Sequence, residues 1–401
     1  MLASARPLPE RISLLRPTAV NAILAEVKEL QAKGKSLVSL MRGEPDFKTP
    51  SHIVEACTRA LANGRTTYPD NRGEKILREA VAEKLKRDNG LTYDPGAEIL
   101  VTTGATLGIY AALMAILNDG DEVLLPDPIY DAYQSPIRLA GGRIRPVASS
   151  IRNGRFVLSE AALEAAWTPS TRALILNTPW NPVGTVLSRA ELETIADFCE
   201  HRDVVLLSDE IYEAITYDGA KHISPLAISP GLRDRAVLLN SLSKTYAMTG
   251  WRVGYCAGPA PLIQAMFLVL AQSSRGPATF IQDAAAAALT GSQECVATMR
   301  TEYARRREQV LTKLASVPGV RPLAPEGGFF AMADICALHH PSNEIRRRLL
   351  EDHGVVVVHG AAYGPGGEGT LRISFGSGGE TLTNGLDRLA KGLTRIQESR
   401  S

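Results

Sequence analysis

Three apolar stretches in the middle of this sequence each run straight into polar residues of chemically useful types. Ala173–Leu176 is followed by Asn177-Thr178-Pro179-Trp180-Asn181-Pro182, Val204–Leu207 by Ser208-Asp209-Glu210-Ile211-Tyr212, and Ala236–Leu239 by Asn240-Ser241-Leu242-Ser243-Lys244. Taken singly these residues say little. An Asp or Tyr after a strand is commonly a turn or helix cap, and a lone lysine is commonly a solvated surface charge. Recurrence at the same end of three strands is harder to dismiss, because ligands of open α/β sheets bind outside the carboxyl ends of the strands. An Asn, an Asp with a Tyr, and a Ser with a Lys would then meet in one crevice. That set suits a flat, charged heterocycle carrying a phosphate.

Such residues need a sheet to hold them. The three runs are continuously apolar, as expected of strands buried on both faces, and the helical segment Arg189–His201 separates the first two. Glu74–Arg87 carries an apolar stripe opposite its charges, Thr106–Leu117 reads as a helix opened by Gly104, and Glu122–Leu125 as a short strand. The rhythm is β-α-β, hence an α/β fold with a largely parallel sheet. The texture changes near Gln293: a charged helix Glu294–Leu314, a strand Gly328–Ala333, a helix Asn343–Asp352, strands Val355–Val358 and Thr370–Phe375, and a last helix from Glu380. This reads as a second, smaller α+β domain. The Arg305–Arg307 cluster reads most simply as a solvated helix face.

The polar strand ends resemble a known family. Asn177-x-Pro-x-Asn-Pro-x-Gly184, Ser208-Asp-Glu-x-Tyr212 and Ser241-Leu-Ser-Lys-Thr, followed by Gly250-Trp-Arg-Val-Gly254, are similar to the signature set of class I aminotransferases. These are fold-type-I enzymes dependent on pyridoxal 5′-phosphate (PLP). The likeness runs in order from Gly43-Glu-Pro-Asp-Phe47 to Leu371-Arg-Ile-Ser-Phe375, nearly the whole chain. It implies a three-layer α/β/α large domain with a mainly parallel sheet over residues 47–290 and a small domain over 291–401. Residues 1–46 would form an N-terminal arm and part of the small domain.

Carried over by position, the resemblance makes Lys244 the Schiff-base lysine and Asp209 the partner of the pyridine nitrogen. Asn181 and Tyr212 would hydrogen-bond the ring hydroxyl oxygen, and Tyr130, in Pro128-Ile-Tyr130-Asp-Ala-Tyr133, would stack over the ring. Gly104, Ala105 and Thr106 at a helix start would seat the phosphate, with Ser241, Ser243 and Arg252. Tyr68 resembles the tyrosine that reaches the phosphate of the neighbouring subunit, which implies a homodimer. Arg372 would grip the substrate α-carboxylate with its planar fork, and Gly43 would add a backbone contact. The implied activity moves the amino group of an L-amino acid donor to a 2-oxo acid acceptor by a ping-pong mechanism.

Several positions depart from the family. Thr106 stands where one aspartate-specific subgroup has a lysine for the distal carboxylate, which leaves aspartate preference unsupported. Trp180 replaces a frequent His and would wall the side-chain pocket. His359-Gly360 replaces the usual Pro-Gly. Arg275 reads first as a solvated loop arginine, and second as a contact for an acidic side chain in the neighbouring site. His339-His340 and Cys199-Glu-His201 lack partners at metal-ligand spacing, so no metal is expected. Rival readings are a PLP-dependent lyase, synthase or oxidase on the same fold, and a non-catalytic PLP-binding sensor. The sensor would carry an N-terminal DNA-binding module, for which the residues before Gly43 leave too little room. A nicotinamide dehydrogenase lacks its glycine fingerprint, which Gly364-Pro-Gly-Gly-Glu-Gly369 does not supply.

Composition agrees with a globular enzyme. The 401 residues are 45% hydrophobic and 22% charged, with 44 Lys plus Arg against 43 Asp plus Glu and a net charge of +1. So even a balance gives no reason to expect nucleic acid or an anionic membrane as partner. Five widely spaced cysteines without a CxxC fit reduced thiols. Met1–Pro17 lacks the apolar core of a secretory signal, and no run approaches the length of a membrane helix. Pro261–Ala271 and Ala284–Leu289 read as buried helices. The expected compartment is the cytoplasm.

Overall fold

The computed structural model describes residues 9–399, so the first eight residues of the arm lie outside the described part. Its centre is a sheet of seven strands: β1 (Ile99–Thr102), β2 (Glu122–Asp127), β3 (Arg143–Ala148), β4 (Thr171–Asn177), β5 (Val205–Asp209), β6 (Ala236–Ser241) and β7 (Gly254–Ala257). They lie in the order β1-β7-β6-β5-β4-β2-β3. The pairings from β6 to β3 are all parallel, and β7 alone runs against both its neighbours. The sequence reading anticipated β2, β4, β5 and β6. It missed β1, β3 and β7, the last of which, Gly254-Tyr-Cys-Ala, is short and opens on a glycine.

Alternation along these strands explains their uninterrupted hydrophobicity. Leu124, Leu174, Leu206 and Leu238 share a core with Leu77, Val81 and Leu85 of helix Lys75–Asn89, Ile195 of Arg189–Arg202 and the alanines of Thr279–Thr290. Their neighbours Leu125, Ile175, Leu207 and Leu239 share another with Ile109 and Leu113 of helix Ala105–Ile116 and Ile263 and Met266 of Ala260–Ala271. Both faces are therefore covered, and the result is three layers. Local chemistry fixes the helix starts. Ser188 and Glu191 form a reciprocal capping box at Arg189–Arg202, and Gly104, at φ +79°, makes the turn into Ala105–Ile116.

A second sheet is antiparallel, in the order β8 (Arg321–Leu323), β9 (Phe330–Asp334), β11 (Thr370–Ser374), β10 (Val358–His359). Helices Glu294–Ala315, Ser342–His353 and Gly379–Glu398 pack on it through Val310, Leu349, Leu386 and Leu389. The stretch read as one strand, Val355–Val358, divides. Val355–Val356 pairs in parallel with Val38–Ser39, and Val358–His359 pairs with β11. Residues 38–41 are thus held beside the second sheet, far from their neighbours in sequence.

One expectation fails here. Of Arg305–Arg307 only Arg305 faces solvent; Arg306 and Arg307 are 5% and 6% exposed. Successive helix residues point about 100° apart, so three in a row cannot share one face. Arg306 donates to Glu302, Asp46 and the Gly376 carbonyl, each at 2.8 Å, and Arg307 to the Pro325 carbonyl at 2.8 Å. Among the described residues no helix is long and apolar enough to cross a membrane.

Candidate active site

The carboxyl ends of β4, β5 and β6 open into a cavity of about 510 Å³, whose other wall is β9, β11 and the N-terminal segment. Asp209 closes β5 and is 2% exposed. Its Oδ2 accepts the Tyr133 hydroxyl at 2.6 Å and its Oδ1 the Ile211 N–H at 3.3 Å. Burial raises its carboxyl to about 6, although Tyr133 and Ile211 pull the other way. The turn after β4 is clamped to the same strand end. Asn177 Nδ2 donates to the Asp209 carbonyl at 2.9 Å, and Asn177 Oδ1 accepts the Asn181 N–H at 2.7 Å. This leaves the Asn181 side chain directed across the cavity, where its Oδ1 accepts Arg372 Nη1 at 3.3 Å.

Lys244 sits on a one-turn helix, Leu242–Thr245, capped by Ser241, whose Oγ accepts the Ser243 N–H at 3.0 Å. The Lys244 ammonium donates to the Gly43 carbonyl at 2.6 Å. Burial lowers its pKa to about 8; Glu44 and Asp209 oppose the shift, and Arg252 and Arg372 add to it. A lysine so placed is partly neutral near pH 7, and hence a nucleophile and a base.

Below Lys244 the groups suit an anion. Helix Ala105–Ile116 starts without a side-chain cap, leaving its first N–H groups unclaimed by one. Arg252, with φ +54°, bends its guanidinium over this start. A Cβ on Gly104 would lie 2.6 Å from Arg252 Nη2 and push that guanidinium aside, and the φ of +79° independently favours glycine here. The hydroxyls of Ser241 and Ser243, linked at 2.7 Å, line the same corner.

On the opposite wall, Arg372 in β11 is 2% exposed. Its Nη2 donates to the Met41 carbonyl at 2.9 Å, and its guanidinium lies 4.3 Å from the Phe330 ring centroid and 5.0 Å from that of Tyr363. Among the described residues no carboxylate pairs with it, and its buried Nε has no partner. A buried guanidinium held only by neutral oxygens and rings is prepared for an incoming carboxylate. Tyr130 and Tyr212 also line the cavity. Tyr212 is wedged edge-on against Phe329 and Phe330 at 5.6 and 5.9 Å.

Most residues singled out from sequence converge here: Gly43, Ala105, Thr106, Tyr130, Asn181, Asp209, Tyr212, Ser241, Ser243, Lys244, Arg252 and Arg372 line the cavity, with Gly104 behind it. Two do not. Trp180 is no wall of the side-chain pocket: it is 1% exposed, packs on Phe156, and donates its indole N–H to the Pro128 carbonyl at 2.9 Å. Its side chain turns into the core while the following Asn181 faces the cavity. Tyr68 is 81% exposed and outside the cavity, with Arg275 stacked 4.8 Å from its ring centroid.

Sequence reasoning missed Tyr133, although it stands in the quoted Pro-Ile-Tyr-Asp-Ala-Tyr motif. It also missed Thr18, Val20, Asn21 and Leu24, which bring the helix Ala19–Ala32 to the cavity. A signal existed in Val20 and Leu24, apolar residues one turn apart. A third omission is a cluster with metal-ligand proximity, Glu210, Glu213 and His222, whose ligand atoms lie within 4.8 Å of one another. Its carboxylates are already occupied by Lys84, Asn89 and Asn240 and by Ser208 and Ser224.

Known proteins match this architecture along almost its whole length. The family model for aminotransferases of class I and II matches residues 35–389. An aspartate aminotransferase of Geobacillus stearothermophilus is 36% identical, over 95% of this chain and 98% of its own. Aromatic-amino-acid aminotransferase 2 of Thermococcus litoralis is 40% identical, over 96% and 97%. The solved structure of a Thermus thermophilus aspartate aminotransferase double mutant superposes with a TM-score of 0.90 at 38% identity, covering 96% of this chain and all of its own. On a likeness this complete, the chain belongs to the class I and II aminotransferases, enzymes that use pyridoxal 5′-phosphate to pass amino groups between amino acids and 2-oxo acids.

Proposed function

We propose that this cavity binds PLP and runs both half-reactions of a ping-pong transamination through Lys244. One observation carries the reading: Asp209, Lys244 and Arg372 are three charged groups in one cavity, each with bonding capacity left unfilled by the protein. The cofactor's parts suit them one by one. The phosphate fits the corner of Ala105, Thr106, Ser241, Ser243 and Arg252, where free N–H groups, hydroxyls and a guanidinium meet. A protonated ring nitrogen supplies the counter-charge that a buried carboxylate raised to about 6 calls for. The ring hydroxyl suits Asn181 and Tyr212, and the ring face suits Tyr130. Bound, PLP supplies an electron sink that acidifies the Cα–H bond of the amino acid.

The protein's own groups do the rest. Lys244 is the covalent anchor, and once released its Nζ takes the proton from the substrate Cα; a pKa near 8 keeps that transfer feasible close to neutral pH. Arg372 holds the α-carboxylate and thereby sets the direction of the Cα–H bond, which is catalysis by positioning. Asp209, fixed by Tyr133, keeps the ring nitrogen protonated. Donor and acceptor both present a carboxylate, so one arginine serves both in turn. The chain divides accordingly into residues 47–290, which carry the cofactor groups, and 291–401 with part of 1–46, which carry the carboxylate clamp.

The finer readings rest on single features. Tyr68 and Arg275, exposed and stacked together, suit delivery to the site of a second copy, so the active unit is a homodimer. Five unpaired cysteines fit a reducing cytoplasm. The relatives' names, aspartate in one and aromatic amino acids in the other, leave the donor open.

The test is a donor panel against 2-oxoglutarate, pyruvate and oxaloacetate, with Lys244→Ala alongside. The expected result is one oxo acid formed for each amino group received, with both turnover and borohydride-trapped cofactor lost in the variant. Ammonia release without an acceptor would replace transamination by lyase or oxidase chemistry. Turnover surviving in Lys244→Ala would remove the lysine from its role.

A further inference from the structure

Ser243 and Lys244 face the active-site cavity, whereas Leu242 and Thr245 face a second cavity of about 410 Å³ behind the same short helix. At its floor lies a charged cluster that the reaction does not use. Lys84, from helix Lys75–Asn89, and Glu213, from the turn after β5, form an ion pair with side chains only 7% and 10% exposed. Glu213 Oε1 also accepts Asn240 Nδ2 at 2.7 Å, and its Oε2 accepts Asn89 Nδ2 at 2.9 Å. Lys84 closes the ring by donating to Asn89 Oδ1 at 2.8 Å. Burial works to raise the Glu213 carboxyl, but Lys84 and His222 more than offset it and keep it ionised.

The consequence falls on Asn240, penultimate in β6 and 2% exposed. A carboxylate only accepts hydrogen bonds, so the Asn240 amide must turn its nitrogen to Glu213. Its oxygen is thereby left for the backbone N–H of Ser241, at 2.7 Å. The Ser241 hydroxyl in turn holds Ser243, donating to its hydroxyl at 2.7 Å and accepting its backbone N–H at 3.0 Å. We propose that the Lys84–Glu213 pair is a positioning device for the cofactor's phosphate: through Asn240 it fixes the Ser241 backbone and so aims the two serine hydroxyls into the corner shared with Arg252. The inference rests on the reading of that corner as the phosphate seat. A neutral glutamine at position 213 could present either end of its amide to Asn240. The ionised glutamate permits one orientation, and Lys84 makes its ionisation tolerable in a buried place.

The experiment compares PLP with pyridoxal, which lacks only the phosphate, by titrating the cofactor-free full-length protein and following absorbance. Four proteins are needed: wild type, Arg252→Ala, Asn240→Ala, and the double variant Lys84→Met with Glu213→Leu, which replaces the pair by apolar groups of similar size. In Asn240→Ala and the double variant the preference for PLP over pyridoxal should fall ~tenfold, the scale of one well-made hydrogen bond. Pyridoxal affinity should change less than about twofold on the same scale. An unchanged preference in both, with a fallen one in Arg252→Ala, overturns the positioning role and leaves the seat standing. An unchanged preference in Arg252→Ala overturns the seat itself. Equal weakening of both ligands would also overturn the proposal, since it marks general damage to the fold. Should the double variant fail to fold, Asn240→Ala, which keeps the ion pair, decides alone.

Discussion

Two buried arginines, one on a helix packed on the second sheet and one in its strand β11, make an instructive pair. Arg306 and Arg372 are 5% and 2% exposed, and both stack on aromatic rings. Arg306 meets two carboxylates, Glu302 and Asp46, and two carbonyls, those of Phe375 and Gly376. Arg372 meets one carbonyl and one amide oxygen, and its Nε has nothing. Burial and residue type are the same, and only the degree of satisfaction differs. A buried charge whose partners are all present is part of the frame, and one whose counter-charge is missing is a socket.

That contrast can be broken by experiment. The largest effect is expected from Arg372→Met, which should lower kcat/KM by about two orders of magnitude, the ~3 kcal/mol typical of losing one partner of a buried charge pair in a complex. Its Tm should hold or rise, because the variant removes a buried charge that has no direct ion-pair partner among the described residues; a large fall in Tm would make Arg372 structural. Arg306→Met should do the reverse. Removing this guanidinium leaves Glu302 to Arg305 alone, deprives Asp46 of its cation and orphans the Phe375 and Gly376 carbonyls, and should cost about 2 kcal/mol of stability, visible in urea unfolding, with the substrate KM of the remaining folded protein unchanged. A raised KM at full stability would erase the distinction.

Asp209 offers the smallest and sharpest check. Its carboxyl is raised to about 6 in the folded protein, so it favours folding most at low pH, below its unfolded value near 3.8. That contribution is lost as pH rises through about 6. The Tm of cofactor-free wild type, compared with Asp209→Asn, should therefore decline from pH 4 towards pH 7, and adding PLP should abolish the decline. A difference independent of pH would mean that Asp209 is already satisfied without its ligand.

How much of this was legible beforehand follows from what each residue needs. Asp209, Lys244 and Asn181 could be found because strand ends in an α/β sheet place their residues by topology alone, and an apolar run marks the end. β7 was missed because four residues with a leading glycine carry no periodic signal, although its preceding Arg252 was recognised. Trp180 shows the limit: its backbone neighbourhood was right, but which of two adjacent side chains faces the cavity depends on the turn that Asn177 clamps. Arg306 was misread because exposure on a helix depends on what packs against it, here Asp46 and Gly376, both remote in sequence. The Lys84–Glu213 ring was invisible for the same reason, since nothing near Lys84 in sequence announces Glu213.

The pairing of residues 38–41 with the far end of the chain also sets an order of assembly. Met41, whose carbonyl holds Arg372, precedes it by 331 residues, and the Leu40 carbonyl waits likewise for the Ser374 N–H. Synthesis delivers the chain from the N-terminus, and contacts so distant close late. The seven strands around the PLP groups and the helices that cover them are complete by Thr290, whereas the wall bearing Arg372 needs β11. A growing chain can therefore house its cofactor well before it can hold a substrate.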